Sequence, residues 1–453
     1  MNRLLRLEAR RSALLPLLPV LVLLLWLSPI AQHLTPTALW PDRSADLQST
    51  IQMLGPFVAG AAAWMAAREQ RRALTDLLAC TPRSPWARGL ATWTTTSGWA
   101  VLFYATIGAV VFALTAAQAT WGHPVLWPML SGLAALLACS AAGFAAGRLL
   151  PSRFTTPLVA IAVFATMAAG MQAALNGDAL GRLSPIYPSI GLASSVFYAT
   201  RPDLTWVQLT CYLGVTAAAF GLIALRGHAG DRTIRRGGAN LTAAGLVLVA
   251  AAVALVLTSS TDDQGVVIPL LHDAASDRTV AYTPVCSQAP LPVCLHPAYA
   301  HELTPLDTLV NQIAAPLVGI PGLPVRAEQL PGDKQVVRLQ GNPPVLTIPH
   351  FIIHGTTISP PAFAAGLQTM VALALVTPAG TPAFQTDPAQ RAVALYLLHQ
   401  AADTPDSDLI PDDAAVAAAA QRLRALSPTA RHTWLTAHVT ALRAGTLPLT
   451  ELP

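Results

Sequence analysis

Ser49-Thr-Ile-Gln-Met-Leu-Gly-Pro-Phe-Val-Ala-Gly-Ala-Ala-Ala-Trp-Met-Ala-Ala67, followed at once by Arg68-Glu-Gln-Arg-Arg72, decides how this chain is read. The first part carries no charged side chain and is long enough, as a helix, to cross the ~30 Å hydrocarbon layer of a bilayer. The second part marks where the chain leaves that layer. Six further apolar runs of similar length follow the same rule, near Ser12–Ala31, Thr94–Ala117, Pro124–Gly147, Phe154–Ala174, Thr205–Leu225 and Asn240–Thr258. Between these ends none contains Asp, Glu, Lys, Arg or His. Composition agrees: 53% of residues are hydrophobic and 11% charged, where a soluble domain carries about 25% charged. The expected fold class is an α-helical polytopic membrane protein with about seven transmembrane helices. The first run is read as a retained span, because it is long for a signal peptide and Pro29-Ile30-Ala31 is a poor cleavage site.

Arginine placement sets the orientation. With the N-terminus inside, the inner segments hold Arg3, Arg6, Arg10, Arg11, Arg68, Arg71, Arg72, Arg83, Arg88, Arg148, Arg153, Arg226, Arg232, Arg235 and Arg236, against Arg43, Arg182 and Arg201 outside. Dropping any one of the first six spans would scramble that division. Trp40, Trp121, Trp127 and Trp206 then fall at the outer boundary, where interfacial aromatics belong. An odd number of spans leaves residues 259–453 outside. That tail is acidic and holds the only lysine, Lys334. The basic balance of the whole chain is therefore the inner arginine bias, and no nucleic-acid partner is implied. Sparse lysine with abundant Ala, Arg and Pro suggests a GC-rich bacterial genome.

The tail reads as a small α+β extracytoplasmic domain. Helical periodicity runs over His301–Ile320, with strands expected at Val325–Leu330, Gln335–Leu339 and Val345–Pro349. Further helices are expected at Pro361–Val376, Pro388–Ala401, Asp412–Leu426 and Pro428–Ala444, with Asp412 and Ser427 as caps. Cys286 and Cys294 lie eight residues apart in this outer segment, where an oxidising compartment lets them bridge. Two free thiols and a metal ligand pair are the alternatives. Cys80, Cys139 and Cys211 read as small buried hydrophobes.

Several chemistries lack their residues. His296, His301, His350 and His354 are weak metal candidates: His350-Phe-Ile-Ile-His354 lacks the glutamate of His-Glu-x-x-His, and His301-Glu302 lacks the second histidine. No metal site and no cofactor are expected. No span carries a His, Lys or Asp for an intramembrane protease, proton pump or ion pathway. No Gly-Lys-Ser or Gly-Lys-Thr is present to cradle a nucleotide, so the chain is not read as an enzyme. Active transport would need ATP hydrolysis on another chain.

Arg68–Arg88 is a basic amphipathic segment between two spans. Leu74, Leu77 and Leu78 share one helical face, and Pro82 stops the helix. Together with the short basic N-terminal helix that contains Glu8, this segment resembles the signature of type-2 ABC exporter permeases, in which a glutamate precedes a leucine-rich turn and a proline stop. Here those residues are Glu69, Arg72, Leu74, Leu77, Leu78, Thr81 and Pro82. Leu183-Ser-Pro-Ile-Tyr-Pro-Ser-Ile190, before the sixth span, resembles the stretch preceding the family's last span. The resemblance covers residues 1–226, a six-span permease-like domain. Residues 227–258 add a cytoplasmic loop and a seventh span, and residues 259–453 the outer domain. The resemblance implies a plasma-membrane exporter subunit acting as a homodimer or with a second permease subunit. It also implies a coupling helix over 68–82 that docks on a cytoplasmic ABC ATPase through Arg68, Glu69, Arg72, Asp76 and Leu77. Two alternatives stay open: an interfacial helix lying on anionic lipid, and a membrane-anchored sensor or interaction protein that works through its outer domain. The substrate is not readable from the residues.

Overall fold

The computed structural model describes residues 6, 8–26, 38–72, 85–191, 196–227, 232–262, 264–320, 322–331, 337–348, 361–380, 386–399, 410 and 413–453. Two compact units result, one ending at Arg278 and the other running from Thr279 to Pro453 and taking in Ala38. The first is helical: α1 (Leu14–Trp26), α2 (Trp40–Ser49), α3 (Ile51–Ala66), the single turn α4 (Arg68–Arg71), α5 (Pro85–Gln118), α6 (Trp127–Leu149), α7 (Thr155–Leu175), α8 (Asp203–Gly227) and α9 (Arg232–Leu257). Five of these, α5 to α9, are long and apolar enough to cross a membrane, which marks the chain as membrane-embedded. The other two expected spans take a different form. The first is represented by the 13 residues of α1, and residues 27–31 of its run lie outside the described residues. The second is longer than its apolar run and is divided at Thr50, where α2 ends and α3 begins.

Helix α3 is the axis of this unit. Its face of small residues, Ala59, Ala62, Ala63 and Ala66, is buried, as are Ile51, Leu54 and Val58. Small residues let backbones approach, which is how helices associate where lipid supplies no hydrophobic drive. Gly143 and Gly147 on α6 are spaced so that an added Cβ at either would fall on the Ala59 or Ala63 carbonyl of α3. The last two helices pair in the same way. An added Cβ on Gly245 of α9 would lie 2.5 Å from Gly214 O of α8, and one on Gly221 of α8 would lie 2.8 Å from Gly238 O of α9. Two glycine pairs one heptad apart thus set an antiparallel α8–α9 contact. By contrast, α7 shows most of its surface, with Leu158 and Ile161 each 65% exposed. An apolar face of this kind suits acyl chains.

Residues 179–191 do not span. They form a 3-10 turn, Ala179–Leu183, and then a non-helical stretch in which Ile186 to Gly191 are all buried. The sequence places the boundary between units at residue 259. Residues 259–278 instead fold with the helical unit: β1 (Ser260–Asp262) and β2 (Gly265–Val267) make an antiparallel hairpin, and Val266 and Ile268 join the helical core.

The second unit holds a five-stranded mixed sheet of β3 (Val285–Cys286), β4 (Val293–Leu295), β5 (Ala327–Gln329), β6 (Arg338–Gln340) and β7 (Val345–Ile348), in the order β3-β4-β5-β7-β6. Strands β4 and β5 are parallel. Parallel neighbours need a crossover, and α10 (Leu303–Ala314) supplies it, burying Leu306, Leu309, Val310 and Ile313. Four helices complete the unit: α11 (Pro361–Val376), α12 (Pro388–Leu398), α13 (Ala414–Ala425) and α14 (Pro428–Arg443). Asp387 and Gln390 form a capping box on α12, and Ser427 caps α14. The cap of α13 is Asp413, which accepts from Ala415 N and Val416 N; Asp412 lies outside the described residues.

Candidate functional site

Sequence reasoning places the working residues at the arginine-rich end of the helical unit. There α3 continues through Ala67 into the single turn Arg68–Arg71, and Arg72 leaves the helix at φ −95°, ψ 6°. The remainder of the expected helix to residue 82, with Asp76 and Leu77, lies outside the described residues. Arg68 donates to both carboxylate oxygens of Glu8 at 2.8 Å. Glu69 sits between two arginines, Arg88 at 3.7 Å on α5 and Arg148 at 3.4 Å on α6. Arg71 turns back, its guanidinium 3.6 Å from the Trp64 ring centroid and bonded to Trp64 O at 2.7 Å. The first turn of the segment is thereby tied to the N-terminal segment, α3, α5 and α6 at once. Each partly exposed pair contributes about 0–1 kcal/mol, so these ties orient more than they stabilise.

Beside Glu69 lies a cleft of about 330 Å³. Gln70, Arg148 and Arg226 form its polar side. Trp86, Phe144 and Phe220 form its aromatic side, with Leu90 and Ile223. Phe220 meets Trp93 edge-on at 4.7 Å and Trp86 at 6.0 Å. The Arg148 guanidinium lies against Gly89, where an added Cβ would stand 3.1 Å from Nη2.

At the other end of the unit, two amides hold the buried 183–190 stretch. Gln48 donates to Pro185 O at 3.2 Å and Tyr187 O at 2.9 Å, and accepts from Ser189 N at 2.9 Å. Gln208 donates to Arg182 O at 2.9 Å and Tyr187 O at 3.0 Å, and Ser131 Oγ donates to it. Irregular backbone in an apolar medium is tolerated only where such partners satisfy it. Beyond it sits a charged clasp. Arg201, 4% exposed, donates to Asp262 at 2.8 Å, Gln264 at 2.8 Å and Asp277 at 2.5 Å. His272 contacts Asp277 through Nε2 at 3.1 Å and Asp203 through Nδ1 at 3.2 Å. Hydrogen bonding to Asp277, then to Asp203, raises the His272 pKa above its ordinary value, and the bond from His272 lowers that of Asp277.

In the second unit Cys286 and Cys294 are disulfide-bonded across the β3–β4 pair. His296 is buried and accepts from Ala298 N at 3.1 Å, capping the turn that follows, and burial pushes its pKa down to about 4. His301 is exposed, and His350 and His354 lie outside the described residues. Among the described residues no group of three or more His, Cys, Asp or Glu is arranged to hold a metal ion.

Sequence reasoning missed Arg88 and Arg148 as the partners of Glu69, and it missed the Gln48–Gln208 network. The latter has a visible sign, amides inside or at the edge of apolar runs: Gln208 within Thr205–Leu225 and Gln48 just before Ser49–Ala67. Compared with family models, curated proteins and solved structures, the chain has no match in any of the three.

Proposed function

We propose that the chain is the transmembrane permease subunit of an ATP-driven ABC exporter in a bacterial plasma membrane. In this reading it has seven spans, an inner N-terminus and an outer C-terminal unit, and acts as a homodimer or with a second permease subunit. A separate cytoplasmic ATPase grips the segment beginning at Arg68, with Arg72, Asp76 and Leu77 toward the partner.

The observation that carries this reading is the double tie of Glu69 to Arg88 and Arg148. A load on the segment reaches the roots of α5 and α6 directly. Helices α3 and α6 touch backbone to backbone at Gly143 and Gly147, so they shift together as a rigid pair, as packed elements do in switching transitions. An interfacial helix that only rests on lipid has no need of such a link.

The test is purification of the full chain from its native membrane, wild type beside Glu69→Arg. An ATP-hydrolysing partner is expected with the first and lost from the second. Equal retention by both, or no such partner with either, refutes the proposal.

A further inference from the structure

We propose that the cleft between α5, α6 and α8 binds the headgroup of an anionic phospholipid. Three features converge on it. Its volume of about 330 Å³ falls within the range of small-molecule sites. Its polar side presents Arg148 and Arg226, and among the described residues the carboxylate paired with Arg148 is that of Glu69, which Arg88 shares. Arg226 is exposed and forms no ion pair among the described residues. Arg148 keeps one contact at 3.4 Å with Glu69, and its Nη2 lies over Gly89, which has no side chain of its own to fill the space. A net positive cleft of guanidinium groups matches a phosphodiester, which such groups bind in a planar, forked manner.

The aromatic lining selects the amphiphile over a soluble anion. Trp86, Phe144 and Phe220 form it. Leu90, also of the lining, is 40% exposed on α5, and Leu222, next to the lining residue Ile223, is 43% exposed on α8. A headgroup seated between the arginines can thus lay the first carbons of its acyl chains along two spanning helices. A free phosphate would leave the aromatic wall uncovered. Basic pockets between helices at the arginine-rich side of a membrane protein suit anionic headgroups on the same electrostatic grounds.

The experiment uses the delipidated full chain and native mass spectrometry. The added probes are phosphatidylglycerol, phosphatidylcholine or inorganic phosphate. Phosphatidylglycerol should bind saturably, phosphatidylcholine weakly, and phosphate should not compete. Arg148→Gln and Arg226→Gln should each weaken phosphatidylglycerol about fivefold, while Arg232→Gln with Arg235→Gln, basic positions at the same end but outside the cleft, should not. Competition by phosphate at equal concentration, equal binding of the two lipids, or equal loss in the control pair overturns the proposal. A photoactivatable phosphatidylglycerol on the unmutated chain gives a reading that no folding defect can disturb. Adducts are expected on peptides holding Trp86–Leu90 and Leu222–Arg226, and adducts elsewhere only refute the site. None of these readouts involves an ATPase, so the lipid site and the exporter reading fail separately.

Discussion

Gln48→Leu is the sharpest structural perturbation. The side chain is fully buried and its replacement is similar in volume, so the loss is one of hydrogen bonds more than of packing. Two groups are stranded. Ser189 N–H loses its acceptor, Gln48 Oε1 at 2.9 Å, and Pro185 O loses its donor at 3.2 Å. Tyr187 O keeps Gln208, and Gln208 Oε1 keeps Ser131. A buried orphan costs about 1–3 kcal/mol, with the part-buried Pro185 carbonyl at the low end, giving roughly 2–4 kcal/mol. At about 2–4 °C per kcal/mol for a unit of this size, the apparent Tm of the purified chain in lipid nanodiscs should fall by roughly 5–15 °C. Gln52→Leu, one turn along in α3 and without a hydrogen bond among the described residues, is the matched control and should shift little. If Gln48→Leu melts no lower than Gln52→Leu, the amide network does not hold the 183–190 stretch.

The clasp gives a pH prediction. A raised His272 pKa adds stability that is complete below the unfolded value of about 6.5 and is lost as pH rises through the folded value. Hydrogen exchange of residues 264–278, corrected for intrinsic rates, should therefore quicken as pH rises past the unfolded value and through the higher folded one, and His272→Asn should remove the difference. The lowered Asp277 pKa acts oppositely: its contribution holds above the usual carboxylate range and fades as pH falls through the lower folded value. Gly221→Val forces a Cβ to within 2.8 Å of Gly238 O and should destabilise the α8–α9 pair by about 1–3 kcal/mol in thermal melts, whereas Gly237→Val, with nothing within 4 Å, should not. Replacing both Cys286 and Cys294 with Ser should cost the outer unit about 2–3 kcal/mol, read as faster limited proteolysis of residues 279–453.

The long spans were legible because hydropathy over twenty residues is a strong, local property. The expected run Thr205–Leu225 lies within α8, and Phe154–Ala174 matches α7 to within a residue. The expected helices Pro361–Val376 and Pro388–Ala401 were likewise marked by proline at the first turn and apolar periodicity. Strands β3 and β4 were not legible: they are two and three residues long, too short for alternation to register. The assignment of residues 259–278 depends on Arg201 and Asp203 reaching Asp262, Asp277 and His272, contacts that no local pattern announces. The same holds for the site. Glu69 was visible as a charge at the end of a span, but its partners Arg88 and Arg148 come from two other helices.

In the exporter reading proposed above, the segment beginning at Arg68 meets an ATPase and not merely the lipid surface. A photocrosslinking amino acid placed at Arg72, in the full chain and in its native membrane, tests this most directly. The account predicts a covalent adduct to a P-loop protein that hydrolyses ATP, suppressed by Glu69→Arg in the same chain. Adducts to lipid alone would contradict it.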